Sequence, residues 1–412
     1  MTAFAEPVRI ERIAAGGDGV GRLPDGRTVF VPRSAPGDVV TLRDVQLHKR
    51  FARARIADIV EHAAERVVPP CPHYVRDGCG GCQLQHLAVP AQEAAKRAIV
   101  GDALRRLGKF DLVDPELESA PAAWHYRARI TLHRAERGDR IGFHRLGAPG
   151  SIFELDTCLI ADERLVALWR VVRRHRSLLP AVFDGLTLRI ERGGGEHVLL
   201  RAKGDDAWTK GRELAQRLAA DGRPATVWWQ PERGAARVVG GGTDLFPAAA
   251  FEQVNPAMGD RLRAHALEQL GDVDGRHVWD LYAGIGEATA ALAARGATVE
   301  SVEWDKHAVQ VAVARGPDGP RRLAARVEDA MDRLKPPALV LTNPPRAGME
   351  PRVVDAIAAH RPARLVYVSC DPATLARDLA RLGDRYRLVH ARAFDLFPQT
   401  AHVETVAVME RT

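Results

Sequence analysis

From about residue 246 to the C-terminus, short β-branched runs alternate with helical stretches, and this alternation constrains the fold more than any other feature. Strands and helices in that order build a doubly wound α/β sheet. Such sheets hold ligands outside the carboxyl ends of their strands, so chemistry is expected in the residues just beyond each strand. The first strand, His277-Val278-Trp279-Asp280-Leu281-Tyr282, runs into the turn Ala283-Gly284-Ile285-Gly286. A helix over 287–295 comes next, and a second strand over 298–303 ends on Glu303. Glycines let a backbone approach its ligand closely, and an acid about 20 residues on can hold ribose hydroxyls. The third glycine of a dinucleotide fingerprint is missing, which points to S-adenosylmethionine rather than NAD.

Two later strand ends add reactive groups. Residues 338–342 form an apolar run that stops at Asn343-Pro344-Pro345-Arg346. Residues 365–368 form another, which ends at Ser369-Cys370-Asp371-Pro372, with the proline opening the next helix. A cysteine at such an edge lies where open sheets bind ligands, and a helix N-terminus beyond it would favour the attacking thiolate. Cys370 is accordingly a candidate nucleophile; the alternative is an inert strand-end thiol.

At 412 residues the chain needs two or three domains. No apolar run approaches the roughly 20 residues that span a bilayer. Met1-Thr2-Ala3-Phe4-Ala5-Glu6 lacks the pattern of a signal peptide, so a cytoplasmic protein without membrane contact is expected. The net charge of +6 suits a polyanionic partner without proving one. Residues 1–62 show short strands separated by Gly-rich turns, the spacing of a small β-barrel. Arg43, Lys49, Arg50, Arg53 and Arg55 are interleaved through its last part, as on a surface that tracks a nucleic-acid backbone.

The five cysteines stand at 71, 79, 82, 158 and 370, an odd number that argues against a disulfide framework. Three fall within Cys71-Pro72-His73-Tyr74-Val75-Arg76-Asp77-Gly78-Cys79-Gly80-Gly81-Cys82, where glycines let the chain wrap and aim N–H groups at sulfur. Cys158 is the candidate for a remote fourth ligand. Four thiolates can bind zinc or an iron–sulfur cluster, and spacing alone leaves that choice open. Residues 126–134 alternate with basic residues on one face, which suits a sheet facing phosphates.

The N-terminal pattern resembles the TRAM domain, a small RNA-binding barrel. Cys79-Gly80-Gly81-Cys82-Gln83-Leu84-Gln85-His86, followed by Gln92 and Lys96, resembles the cluster-binding segment of the RNA (uracil-5-)-methyltransferases. Four further motifs extend that resemblance over nearly the whole chain: Phe251-Glu252-Gln253-Val254-Asn255-Pro256, the glycine turn, the Pro-Pro turn with Cys370, and the terminal run from Phe394 through Glu404. It implies a TRAM barrel over 1–62, a central α+β domain over 63–245 holding a 4Fe–4S cluster on Cys71, Cys79, Cys82 and Cys158, and a class I methyltransferase domain over 246–412. It also implies Cys370 as nucleophile, Glu404 as base, and Gln253, Tyr282, Gly284, Glu287, Glu303 and Asn343 around S-adenosylmethionine, with Glu328 and Asp329 towards the adenine. Where the family has a small polar residue this chain has Glu287, which could face the methionine ammonium. Asn343 replaces the family's Asp, and Asp371 its Asn.

The expected activity is methylation of uridine carbon 5 in RNA by a monomer, with 23S ribosomal RNA favoured over transfer RNA. Asn343 also resembles the Asn-Pro-Pro turn of enzymes that methylate exocyclic amino groups, a reaction that requires no thiol nucleophile. A non-catalytic RNA-binding iron–sulfur protein is the third alternative. The cluster segment, far from Cys370 in sequence, is expected to serve folding or RNA docking.

Overall fold

The computed structural model describes residues 4–136, 138–242 and 252–412. Strands β1 (Phe4–Ile13), β2 (Asp18–Arg22), β3 (Thr28–Pro32), β4 (Val39–Leu47) and β5 (Phe51–Glu61) close into a barrel in the order β1-β2-β3-β5-β4. Its alternate residues face inward, so Val8, Ile10, Val29, Val31, Val40, Leu42 and Ala52 fill the interior. Buried Asp38 anchors the barrel to the segment after β5 by accepting from the Ala63 N–H at 2.9 Å and pairing with Arg66 at 2.5 Å.

The short helix α1 (Pro72–Val75) lies within the cysteine run, and α2 (Val89–Arg106) comes after it. Ile99, Val100 and Leu104 of α2 enter the core of the C-terminal sheet, not that of the central one. Strand β6 (Glu116–Glu118) likewise joins the edge of the C-terminal sheet, beside a strand from the far end of the chain.

Strands β7 (Arg129–Arg134), β8 (Ile141–Arg145), β9 (Ala148–Glu154), β10 (Gly185–Ile190), β11 (Glu196–Arg201), β12 (Thr226–Gln230) and β13 (Arg237–Gly240) form the central sheet, ordered β13-β12-β11-β10-β7-β8-β9. Helices α3 (Glu163–Arg174) and α4 (Gly211–Ala220) cover one face, burying Trp169, Val171, Val172 and Leu214 against Ile130, Leu132, Leu188 and Val198.

The C-terminal half opens with α5 (Pro256–Gln269), capped by Asn255. Strands β14 (His277–Leu281), β15 (Thr298–Glu303), β16 (Arg321–Ala324), β17 (Leu339–Thr342), β18 (Arg364–Ser369), β19 (Tyr386–Phe394) and β20 (Glu404–Arg411) run in the spatial order β16-β15-β14-β17-β18-β20-β19, with β6 beyond β19. Helices α6 (Glu287–Ala294), α7 (Lys306–Arg315), α8 (Val327–Ala330), α9 (Pro351–His360) and α10 (Pro372–Arg381) supply the crossovers. The five strands from β16 to β18 are parallel, as the alternation predicts, while β20 runs antiparallel between β18 and β19. Strand order reverses beside β14, where such sheets open a ligand crevice. No helix among the described residues is long and apolar enough to cross a membrane.

Candidate active site

The glycine turn lies just beyond the carboxyl end of β14. Gly284 and Gly286 take φ of 56° and 78°, the left-handed conformations for which glycine is suited, and Tyr282 itself sits at 61°. Glu303, at the end of the neighbouring strand β15, accepts from the Gly284 N–H at 2.9 Å and the Asp305 N–H at 2.8 Å. Its carboxylate is thereby fixed across the mouth of the turn. Beneath it the Thr289 hydroxyl donates to buried Asp280 at 2.6 Å, and burial pushes the Asp280 carboxyl up to about 6.

Gln253 lies at the entrance of α5, where Gly259 makes room: a Cβ there would meet the Gln253 Cβ at 2.8 Å. Phe251 of the same motif lies outside the described residues. Asn255 caps α5 through the Met258 N–H at 3.3 Å and donates to the Leu396 carbonyl at 3.2 Å, tying this segment to the terminal motif. Glu287 has a partner already, since Arg263 donates to it at 2.6 Å. Arg192 adds a longer contact at 3.8 Å. Asn343 is exposed at the end of β17, between the ends of β14 and β18, and its N–H donates to the Leu281 carbonyl at 3.2 Å.

Sheet register brings the reactive pair together. Ser369 of β18 pairs with Thr405 of β20 in antiparallel register, so Cys370, just past the end of β18, and Glu404, the first residue of β20, lie at the same end of the pair, close enough for the Glu404 charge to act on the thiol. The thiol is half-buried and the carboxylate fully so. Burial pushes Glu404 up to about 7, opposed by the positive charge of Arg346. Burial pushes Cys370 up to about 11, the Glu404 charge adds to that, and Arg346 opposes it. The thiolate expected from a helix N-terminus is therefore not favoured at rest. The helix end is taken by Asp371 instead, whose side chain accepts from the Ala373 and Thr374 N–H groups at 3.0 and 2.9 Å.

Arg346, noticed in sequence only as part of a motif, is the cation acting on Cys370, Glu404 and His402 alike. Burial and the charges of Arg346 and Arg127 push the His402 imidazole down to about 4, so it is neutral at physiological pH. The loop bearing Arg346 is held by Asp378 of α10, which accepts from the Met349 N–H at 2.7 Å and the Tyr367 hydroxyl at 2.9 Å. Gly348, with φ of 79°, permits that approach; a Cβ there would collide with the Asp378 carboxylate.

The cysteine segment, remote in sequence, is laced directly to the catalytic motif. The Leu84 N–H donates to the Gln399 carbonyl at 3.0 Å. Gln92 and Gln399 exchange two bonds: the Gln92 amide donates to Gln399 Oε1 at 3.0 Å, and the Gln399 N–H donates to Gln92 Oε1 at 2.9 Å. Lys96, fully buried, donates to buried Asp395 at 2.5 Å and to the Phe397 carbonyl at 3.0 Å. These contacts hold Gln399 at φ of 71°, a conformation costing a non-glycine residue roughly 1–2 kcal/mol. Nothing in the local pattern of residues 83–96 signals this role.

Cys71, Cys82 and Cys158 share a pocket with Tyr74 and Ile160, and Cys79 is buried at its side. All four thiols are free, and the charges of Cys71, Cys79 and Cys158 all reach Cys82 and help raise its pKa. N–H groups face the sulfurs: Gly81 donates to Cys79 at 3.4 Å, and the Ile160 and Ala161 amides favour the Cys158 thiolate. Among the described residues no group of three His, Cys, Asp or Glu side chains is placed to hold a single metal ion. The all-sulfur donor set and its N–H donors suit a larger sulfur-bridged group.

Residues 324–412 match the family model described as tRNA (Uracil-5-)-methyltransferase, and residues 6–57 match the TRAM domain. The 23S rRNA (uracil(1939)-C(5))-methyltransferase RlmD of Azoarcus sp. is 33% identical over 98% of this chain and 99% of its own length. Its namesake from Chromohalobacter salexigens is 34% identical over 99% and 90% respectively. The crystal structure of Pyrococcus abyssi tRNA (uracil-54, C5)-methyltransferase with S-adenosyl-L-homocysteine superposes with a TM-score of 0.70 at 25% identity, covering 98% of this chain and 99% of that one.

Proposed function

This chain belongs to the RNA (uracil-5-)-methyltransferase family, and on that basis we propose that it methylates carbon 5 of a uridine in 23S ribosomal RNA, with Cys370 as nucleophile and Glu404 as base. The observation that supports the reading is that β18 and β20 pair antiparallel up to Ser369 and Thr405, with the Cys370 thiol just beyond, within reach of the charge of buried Glu404, whose carboxyl is pushed up to about 7. Bound S-adenosylmethionine supplies an electrophilic methyl group. Gln253, Tyr282, Gly284 and Glu303 would hold it in the crevice above β14, with Asn343 at its reacting end.

Carbon 5 of uracil is too weak a nucleophile to take that methyl group unaided. The Cys370 thiol releases its proton to water, its sulfur bonds to carbon 6, and the ring's electron pair moves onto carbon 5 and the carbon-4 oxygen. Arg346 favours the thiolate this step needs. Once carbon 5 carries the methyl group, Glu404 removes the proton from the same carbon. That electron pair restores the carbon 5–carbon 6 double bond and expels the thiolate. Access to the ring face requires the nucleotide to leave its stack.

Cys71, Cys79, Cys82 and Cys158 would hold a 4Fe–4S cluster. Bound there, it would cross-link residues 71–82 to the chain around Cys158 and so steady the neighbouring segment that laces the terminal motif. The ribosomal substrate is favoured because the two RlmD relatives act on 23S rRNA and are more similar to this chain than the tRNA enzyme is.

RNA carrying 5-fluorouridine tests the chemistry, because fluorine at carbon 5 cannot leave as a proton. A covalent protein–RNA adduct stable to denaturation is expected with the wild type and absent with Cys370→Ala. Full turnover by Cys370→Ala would instead favour amino-group methylation guided by the exposed Asn343. Mass-spectrometric mapping of RNA from cells with and without the protein separates ribosomal from transfer RNA.

A further inference from the structure

The central sheet has a second face, turned away from α3 and α4. Arg129 of β7 stands directly across from Arg189 of β10 on that face, and Thr131 pairs with Thr187, their hydroxyls 2.9 Å apart. Gly185 leaves room for Arg201 to lie alongside: a Cβ there would meet both Arg201 Nη2 and Thr131 Cγ2 at 3.1 Å. Arg189 is neutralised by Glu252, and Arg201 pairs with Asp184 at 2.8 Å.

Arg129 differs from both. It is half-buried, and its guanidinium has no hydrogen bond or ion pair among the described residues. Burial and the charges of Arg189 and Arg127 push its pKa down to about 10, with Glu252 opposing them. Arg127 uses its Nε on the Arg129 carbonyl at 3.0 Å, and its charge reaches His402 in the terminal motif. A partly desolvated cation among like charges is unfavourable in the free protein, and an incoming oxyanion would offset that cost. Guanidinium groups bind phosphate oxygens through paired N–H donors, and this face begins at the edge of the catalytic motif.

We propose that Arg129, flanked by Arg127 and Arg201, is a binding site for a backbone phosphate of the RNA beside the extruded uridine. This rests on the proposed function, in which the substrate is RNA. The competing oxyanion is the cofactor's carboxylate, since Glu252 and Gln253 lie close by.

Arg129→Met in the full chain separates these sources, with oligouridylate as the RNA probe and S-adenosylmethionine binding measured beside it. Severalfold weaker oligouridylate binding is expected, with the slope of log K against log salt smaller by about 0.7, one single-strand phosphate. Cofactor affinity should hold, the melting temperature should hold or rise, and Arg129→Lys should keep the wild-type slope. An unchanged slope overturns the proposal. So does weaker cofactor binding at an unchanged slope, which assigns the site to the carboxylate. A lower melting temperature, or failure of the Met variant to fold, also overturns it, because an unpartnered cation does not hold a fold together. Wild-type methyl transfer to 23S ribosomal RNA, followed in parallel, reports on the proposed function separately: its absence would fail that reading while leaving the oligouridylate result interpretable.

Discussion

The two sides of the crevice are built differently. The core of the proposed cofactor side comes from one continuous piece of chain, β14 to β15, in which Glu303 reaches back to Gly284 across nineteen residues, with Gln253 and Asn343 added from elsewhere. The proposed catalytic side is assembled from four separate pieces: Arg346, Cys370, Glu404 and the segment over 83–96 that laces the terminal motif. Glycine conformations and the bonds that nearby side chains, above all Glu303, make within this one stretch secure the first side. The second depends on side chains buried with their charges or amides, through contacts such as Gln92–Gln399 and Lys96–Asp395 spanning about 300 residues of sequence. A site of the first kind is held by contacts close in sequence; one of the second kind depends on partners brought together only by packing.

The largest effect should come from Glu404→Gln. Loss of the base is expected to lower kcat by about 10²–10⁴-fold. A covalent RNA adduct should then accumulate on ordinary uridine RNA, visible on a denaturing gel. The same variant has a stability signature. The folded pKa of Glu404 lies above its unfolded value, so its protonated form is the one compatible with burial. Stability is fully present below about 4.5 and declines as pH rises to about 7. That difference corresponds to about 3 kcal/mol. Glu404→Gln should therefore melt higher than wild type at pH 8 and equally near pH 4. A gap independent of pH would contradict the buried, titrating carboxylate.

Lys96→Met comes next. It leaves Asp395 buried without a counter-charge, a loss expected to cost about 3–5 kcal/mol. Melting temperature and kcat should fall together, and a second change, Asp395→Leu, should restore the melting temperature but not full kcat. Gln92→Ala exposes the same dependence more gently, at about 1–3 kcal/mol for the unpaired Gln399 groups. If either variant kept wild-type kcat, the lacing would be packing alone.

The smallest effect is expected on the cofactor side. Glu287 is neutralised by Arg263, so Glu287→Gln should change the KM for S-adenosylmethionine by less than about 3-fold, under 1 kcal/mol for a partly exposed pair. A larger rise would show that Glu287 leaves Arg263 to meet the methionine ammonium, as its place in the sequence had suggested.

The features governed by local rules were legible in the residues alone. Period-2 alternation marked the barrel strands, the strand–helix rhythm marked the doubly wound sheet, and Gly284 and Gly286 marked the turn, because each signal lies within about twenty residues. The motif match also singled out Cys370 and Glu404. Their proton affinities were not legible there, since burial and the charge of Arg346 are properties of the packed environment. Packing also settled that Asp371 rather than Cys370 takes the N-terminus of α10, that Glu287 is already paired, and that α2 belongs with the C-terminal sheet. Such adjacencies arise when packed surfaces meet, and no local periodicity records which distant partner a buried lysine or amide will find.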